Sequence, residues 1–120
     1  MNAWNLGSVV TMKNMFENAV NFNSAVNGWD VSSVTNFYNM FGGSGLGDQD
    51  LNAWVFTSAS DMTGMLQYTS FNGNIASWDL SGGANKYGMF KYNSHFNQDI
   101  NGWSSIGGTK TRMWDVRRPR

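Results

Sequence analysis

The sequence predicts an α/β repeat solenoid, a coil in which every turn contributes one short strand and one short helix. Three observations carry that expectation. Tryptophans recur at Trp4, Trp29, Trp54, Trp78 and Trp103, spaced 25, 25, 24 and 25 residues apart. A methionine followed by a large apolar residue keeps step at Met15-Phe16, Met40-Phe41, Met65-Leu66, Met89-Phe90 and Met113-Trp114. Between these markers the apolar period changes from two toward 3.6, as it does where a strand gives way to a helix. A unit of this size cannot bury its apolar face alone, whereas stacked units can.

The strand is read from "FNQDINGW" (96–103), which returns as "FNSAVNGW" (22–29) and "FNGNIASW" (71–78), with "GDQDLNAW" (47–54) as an altered copy. Phe96, Gln98 and Ile100 alternate with Asn97, Asp99 and Asn101, the period of an extended segment with one face buried. Small residues before each tryptophan (Gly28, Ala53, Ser77, Gly102) predict a bend where the chain leaves the strand. Val26, Leu51, Ile75 and Ile100 precede the tryptophans by three, and Leu6, Val31, Phe56 and Leu80 follow the earlier ones by two. The helix is read from "SSVTNFYNMF" (32–41), where Val34, Phe37, Met40 and Phe41 draw one stripe and the leading Ser/Thr residues suit N-caps. The pattern is weaker in the third and fourth copies, the latter with Gly82-Gly83 and Lys86, and there a single turn or a 3₁₀ segment is expected rather than a full helix. Strands of successive turns then pair as a parallel sheet, ~4.8 Å apart, with the Trp, Met-Phe and aliphatic columns as interior ladders. The expected domain is 1–116, about five turns by this period, followed by a basic tail, 117–120.

Composition narrows the function classes. Aromatics make up 15% of the chain and charged residues 13%, with formal net charge zero, so nothing electrostatic favours nucleic acid or an anionic membrane. Without cysteine there is no disulfide, thiolate metal site or thiol catalysis. No apolar run reaches the ~18–20 residues that span a bilayer, and "MNAWNLGSVV" is not a signal peptide. Lys110, Arg112, Arg117, Arg118 and Arg120 hold five of the eight basic residues, and read as a solvated tail. His95, the one histidine, cannot make a zinc site by itself. "GGSGLG" (42–47) has neither a nucleophile-elbow context nor the Lys-Ser/Thr of a phosphate loop. Asp48 and Asp50 share a face beside Asn72 and Asn74 and could hold a hard cation, but no calcium-type spacing supports it, and a solvated polar face is the expectation. No catalytic residue, cofactor or metal is expected, and the chain reads as a non-enzyme.

The phrases "FNQDINGW", "WDVSSVTNFYNMF" and "TMKNMFENAVNFN" resemble the BspA-like surface-protein repeat, a leucine-rich-repeat relative of the same length. The resemblance covers four full units and the opening of a fifth. It implies a leucine-rich-repeat-like right-handed coil with a parallel sheet on one side and helical or 3₁₀ turns on the other. It also implies membership of large surface proteins of bacteria, mycoplasmas, some protists and some viruses, and adhesion without enzymatic activity. Three places depart from the pattern: Gly47-Asp48 replaces Phe-Asn, with Leu46 one residue out of register; "WVFTSASDM" lacks the usual Asp; and "WSSIGGTKTRMW" turns basic.

The expected function is therefore surface recognition or adhesion, outside the cell or on a cell or virion surface, with a host or neighbouring-surface protein or carbohydrate as partner. The expected binding face consists of the outward residues of the strands: Asn23, Ala25 and Asn27; Asp48, Asp50 and Asn52; Asn72, Asn74 and Ala76; Asn97, Asp99 and Asn101. The alternative is a structural module that self-associates through uncapped ends, stacking into a filament, appendage or virion. Neither reading involves nucleic acid or membrane insertion.

Overall fold

Four equivalent eight-residue stretches, 11–18, 36–43, 61–68 and 85–92, build the backbone frame. The computed structural model describes residues 6–80, 84–93 and 95–98. Alternate N–H groups of each of the first three stretches donate to the next unit. Met12, Asn14, Phe16 and Asn18 donate to the carbonyls of Asn36, Tyr38, Met40 and Gly42 at 2.8–2.9 Å. Phe37, Asn39, Phe41 and Gly43 repeat the pattern onto Asp61, Thr63, Met65 and Gln67, and Met62, Gly64, Leu66 and Tyr68 onto Asn85, Tyr87, Met89 and Lys91. The intervening N–H groups close turns inside their own unit, as Met15 does to Met12, Glu17 to Asn14 and Ala19 to Phe16. Backbone donors and acceptors are thus divided between neighbour and self, which satisfies the demand that buried polar backbone be paired.

This pattern requires an uncommon backbone. Asn14, Asn39, Gly64 and Gly88 have φ of 52–63°, and four residues further on Asn18, Gly43, Tyr68 and Tyr92 have φ of 57–71°. Each sits at the third place of an i→i+3 turn, where type II geometry needs positive φ and favours Gly or Asn. A left-handed residue every fourth position cannot belong to a right-handed helix.

The α/β solenoid with a parallel sheet on one side and helical turns on the other is therefore corrected. Among the described residues there is no helix, and β-pairing is confined to the isolated parallel bridges Thr11–Asn36, Asn36–Asp61 and Asp61–Asn85. Those bridges lie in the half of the unit expected to be helical, while the expected strands carry none. Two physical reasons account for the error. Overlapping i→i+3 turns put apolar residues at the same three-residue spacing as a helix. The "FN…W" tracts, though alternating in burial over Phe71–Ala76, join their neighbours mainly through side chains. The Cα radius of gyration is 13.2 Å, that of a compact globule of this length rather than an extended coil.

The bridge residues have a second function. Tyr38, Thr63 and Tyr87 N–H donate to Oδ1 of Asn36, Asp61 and Asn85 at 2.9–3.0 Å, and Lys13 N–H to Thr11 Oγ1 at 3.3 Å. A short polar side chain thus opens each ladder by capping the one N–H that neither system uses.

The core lies behind this frame. Trp29, Trp54 and Trp78 are buried, as are Val26, Leu51 and Ile75 before them and Val31, Phe56 and Leu80 after them. Trp54 Nε1 donates to the Val26 carbonyl at 3.1 Å and Trp78 Nε1 to Leu51 at 2.8 Å, so each indole satisfies its donor on the preceding unit. Phe16 and Phe41 stack with centroids 5.6 Å apart and planes 7° apart. Phe56 packs edge-on against Trp78 at 4.6 Å. The expected bends hold: Trp29, Trp54 and Trp78 N–H close turns onto Val26, Leu51 and Ile75 at 3.0–3.1 Å. Trp4, Trp103, Ile100 and Met113-Trp114, the fifth turn and the 117–120 tail lie outside the described residues.

One core column breaks type. Met12, Phe37 and Met62 are followed by Lys86, only 6% exposed. Its Nζ donates to the carbonyls of Ala84 and Leu80, and burial holds its pKa below the ordinary lysine value. At pH below the depressed folded pKa, both folded and unfolded chains carry the proton, and the folded state bears the full cost of burying charge. Between that pKa and 10.5, the unfolded chain binds more protons, so stability rises with pH. Lys86→Met is expected to stabilise the protein by about 1–3 kcal/mol at neutral pH and to remove this alkaline gain. Urea unfolding of both proteins from pH 7 upward checks it.

Candidate functional site: a polar groove beside Trp54

The "FNQD" phrase is explained by how the units are joined on this side. The residue after the large apolar position supplies a side-chain acceptor to the backbone of the next unit. Gly47 N–H donates to Asn23 Oδ1 at 2.8 Å, Asn72 N–H to Asp48 Oδ1 at 2.9 Å, and Asn97 N–H to Asn72 Oδ1 at 2.6 Å. Glutamines tie the same seam. Gln49 Nε2 donates to the Ser24 carbonyl at 2.8 Å while its Oε1 accepts from Val26 N–H at 3.0 Å, and Gln98 Nε2 donates to the Asn72 carbonyl at 2.8 Å. Gly73 holds the glutamine place in the third unit, and a Cβ there would collide with the Gln49 carbonyl and lie 2.8 Å from the Phe71 ring.

The altered copy "GDQDLNAW" keeps this seam intact. Leu46 is fully buried in the phenylalanine position. Gly47 donates its N–H as expected but has no side chain to pass on, and Asp48, one residue later, takes that part. The extra residue between Leu46 and Trp54 is the shift that lets it do so.

Asn23, Asp48, Asn72 and Asn97 are therefore joints between units. Asp50 Oδ1 accepts from Asn52 N–H at 2.9 Å and Asn74 Oδ1 from Ala76 N–H at 3.2 Å, each fixing the turn before a tryptophan. Ala25 and Ala76 are exposed and apolar, and Asp99 and Asn101 lie outside the described residues.

The structure gathers three of the sequence-predicted residues into one place. Asn27, Asp50, Asn52 and Ala53 line a shallow depression of about 370 Å³. A second depression of about 220 Å³ shares the Asn52 wall and continues along Trp54, Val55, Phe56, Thr57, Ser77 and Asp79. Asn52 is held in place by a reciprocal pair: its Nδ2 donates to Ser77 Oγ at 2.9 Å and its Oδ1 accepts from Ser77 N–H at 2.6 Å. The Asn27 amide makes no hydrogen bond to a described residue and is exposed. The groove can thus offer amide and carboxylate groups on a fixed backbone, above an apolar floor. In the unit before, the Ser32 hydroxyl at 2.6 Å, then its N–H at 3.0 Å, holds the Asp30 carboxyl below its ordinary pKa. Among the described residues, no group of three acidic or histidine side chains is arranged to hold a metal ion. No helix among them is long and apolar enough to cross a membrane.

Sequence reasoning passed over the tyrosines. Tyr38, Tyr68 and Tyr92 are 39%, 57% and 55% exposed, on the turn ladder rather than on the "FN…W" side. Their position beside the Met-Phe column, read as helix, concealed that they project.

The fold defines a repeat protein whose units are joined by a turn ladder on one side and a side-chain seam on the other. The chain belongs to the family described as Mycoplasma protein of unknown function, DUF285, whose pattern matches residues 1–103. No curated protein and no solved structure matches it.

The seam distinguishes Asp48, which accepts a hydrogen bond from the next unit, from Asp50, which accepts one within its own turn. Asp48→Ala is expected to cost about 1 kcal/mol in urea unfolding, whereas Asp48→Asn, which keeps an acceptor at Oδ1, is expected to stay near wild type.

Proposed function

We propose that the chain is a non-enzymatic recognition module of the BspA-like type, serving adhesion at a cell or virion surface to a protein or carbohydrate partner. BspA-like repeat proteins fall within the same family, which supports the reading. The observation that carries it is the groove around Asn52. Asp50 is fixed by its turn, Asn52 by Ser77, and Asn27 stands free at the rim. Polar groups ordered before binding lower the entropy lost when a partner docks. The groove suits a polar partner that replaces water on amide and carboxylate groups, more than one that brings a large apolar surface.

The test begins with wild-type protein on arrays of glycans and surface proteins, followed by the double variant Asn27→Ala/Ala53→Trp. Ala53 is exposed, so the indole fills the groove without entering the core. Binding is expected to fall at least about tenfold, equivalent to about 1.4 kcal/mol, with an unchanged thermal midpoint. Undiminished binding would move the site elsewhere.

A second reading, end-to-end self-association, is favoured by the edge of the first unit. The carbonyls of Thr11, Lys13, Met15 and Glu17 hold the places that accept inter-unit bonds in later units, yet accept none from a described residue. Val10, Met15 and Val20 are exposed around them. Such an edge fits a further unit of the same kind. Sedimentation of wild type is expected to show mass rising with concentration, and Val10→Lys/Val20→Lys to abolish that rise.

A further inference from the structure

We propose that Asn27 is a self-modifying site: over time its side-chain amide is lost as ammonia, and the groove acquires a second carboxylate besides Asp50. The consequence for recognition rests on the groove reading; the chemistry does not.

The reaction needs an asparagine whose own side chain can be reached by the next backbone nitrogen. Glycine in the following place, having no Cβ, obstructs that approach least. The chain has three such pairs, Asn27-Gly28, Asn72-Gly73 and Asn101-Gly102, of which the last lies outside the described residues. Gly28 N gives up its proton to hydroxide and attacks Asn27 Cγ. The Cγ–Nδ2 bond breaks, Nδ2 takes a proton from water and leaves as ammonia, and a succinimide ring closes. Water then opens the ring at either carbonyl. One product is aspartate; the other is isoaspartate, with the main chain rerouted through Cγ. Nothing is oxidised or reduced, and water supplies the only other reactant.

The fold sets the two described pairs apart. Asn27 and Gly28 are both exposed. Neither the Asn27 amide nor the Gly28 N–H makes a hydrogen bond to a described residue. Beyond its chain neighbours, no atom lies within 4 Å of where a Gly28 Cβ would stand. The Asn27 amide can therefore swing onto the Gly28 nitrogen without breaking a contact. Asn72 cannot, because its Oδ1 accepts from Asn97 N–H at 2.6 Å and from Gln98 Nε2 at 3.2 Å. Gly73 is also buried against the Gln49 carbonyl. Asn23, which precedes Ser24, is held in the same way by Gly47 N–H at 2.8 Å and Gln49 Nε2 at 3.1 Å. Asn52, the repeat equivalent of Asn27, is clamped by Ser77 at 2.6 and 2.9 Å and is followed by Ala53. Ring closure requires the reacting atoms to meet at bonding geometry, and a side chain tied elsewhere does not reach it.

The product alters the groove. Asn27, Asp50, Asn52 and Ala53 line one depression. There an amide that both donates and accepts becomes a carboxylate that only accepts, ionised at neutral pH. The chain moves from formal neutrality to one negative charge. A partner that hydrogen-bonds to the Asn27 N–H donors loses them and meets added negative potential. The isoaspartyl form also lengthens the backbone of the turn that Trp29 N–H closes onto the Val26 carbonyl at 3.1 Å.

The test holds the full chain, folded, in mildly alkaline buffer and follows each asparagine by brief chymotryptic digestion and fragment-ion mass spectrometry. Cleavage after Phe22, Trp29, Phe71 and Trp78 places Asn27 in 23–29 and Asn72 in 72–78. In the folded protein, Asn27 is expected to convert at least about tenfold faster than Asn72 or Asn23. In concentrated urea, the gap between Asn27 and Asn72 is expected to close. Gly28→Ala, whose methyl group enters open space, is expected to slow Asn27 at least about tenfold with an unchanged thermal midpoint. The proposal is overturned by equal rates at Asn27 and Asn72 in the folded chain, by a gap that persists in urea, or by undiminished conversion in the Gly28→Ala protein. Conversion at Asn27 as expected, in a protein that binds nothing on the glycan and protein arrays, supports the modification and removes the recognition reading.

Discussion

The division of backbone hydrogen bonds between a unit and its neighbour is the constraint from which the other features follow. In each of the first three ladder stretches one set of N–H groups closes local turns and the alternate set crosses to the next unit. Neither set alone would hold: isolated turns are weak, and a bare crossing ladder would be a strand. Interleaved, they demand positive φ at fixed places, which accounts for Asn14, Asn39, Gly64 and Gly88. They also place Met40 and Phe41 inside while Tyr38 faces out. The repeat length is then set by how much chain is needed to return to the same ladder position.

The opposite side of each unit solves the same problem with side chains. Asparagine and glutamine can present a donor and an acceptor together, so one residue can answer the backbone of two neighbours. Gln49 does so between Ser24 and Val26. This explains a composition poor in charge and rich in amides: within the body, those groups are connections. It also tolerates irregular spacing. Where Gly47 cannot pass on a bond, Asp48 can, because a side chain reaches what a shifted backbone does not. Asparagine-rich tracts that look like an outward binding face are thus partly committed to the fold. Asn27 and the exposed parts of Asp50 and Asn52 are not used in this way.

Departures from the repeat mark where other demands act on it. Lys86 enters a column of Met and Phe and donates hydrogen bonds to the Leu80 and Ala84 carbonyls, a polar substitution inside the core. Tyr68 and Tyr92 enter a column of Asn and Gly, a bulky substitution on strained backbone outside it. The first alters the energetics of folding with pH, and the second alters the surface presented to other molecules. The ladder accommodates both because its hydrogen bonds come from the main chain.

The inward columns were legible from residue order. Val26, Leu51 and Ile75, the tryptophans and the Met-Phe pairs recur at a period that only stacked units explain, and the described members are buried with the exception of Met15 at the first unit's edge. The bend before each tryptophan was legible from its small residues. Helix and strand were not, because Val34, Phe37, Met40 and Phe41 satisfy overlapping turns as well as a helix, and because period-two alternation marks an extended segment without saying whether backbone or side chains bind it to its neighbour. Of the expected binding residues, Asn27, Asp50 and Asn52 meet in a groove, while Asn23, Asp48 and Asn72 serve as joints. What the sequence by itself determined was the repeat and the set of residues that face inward, since burial follows from hydrophobicity and spacing. Only the tertiary structure decided the backbone path, the role of each amide and the exposure of the tyrosines, because a peptide group chooses its partner from the unit 24 or 25 residues away.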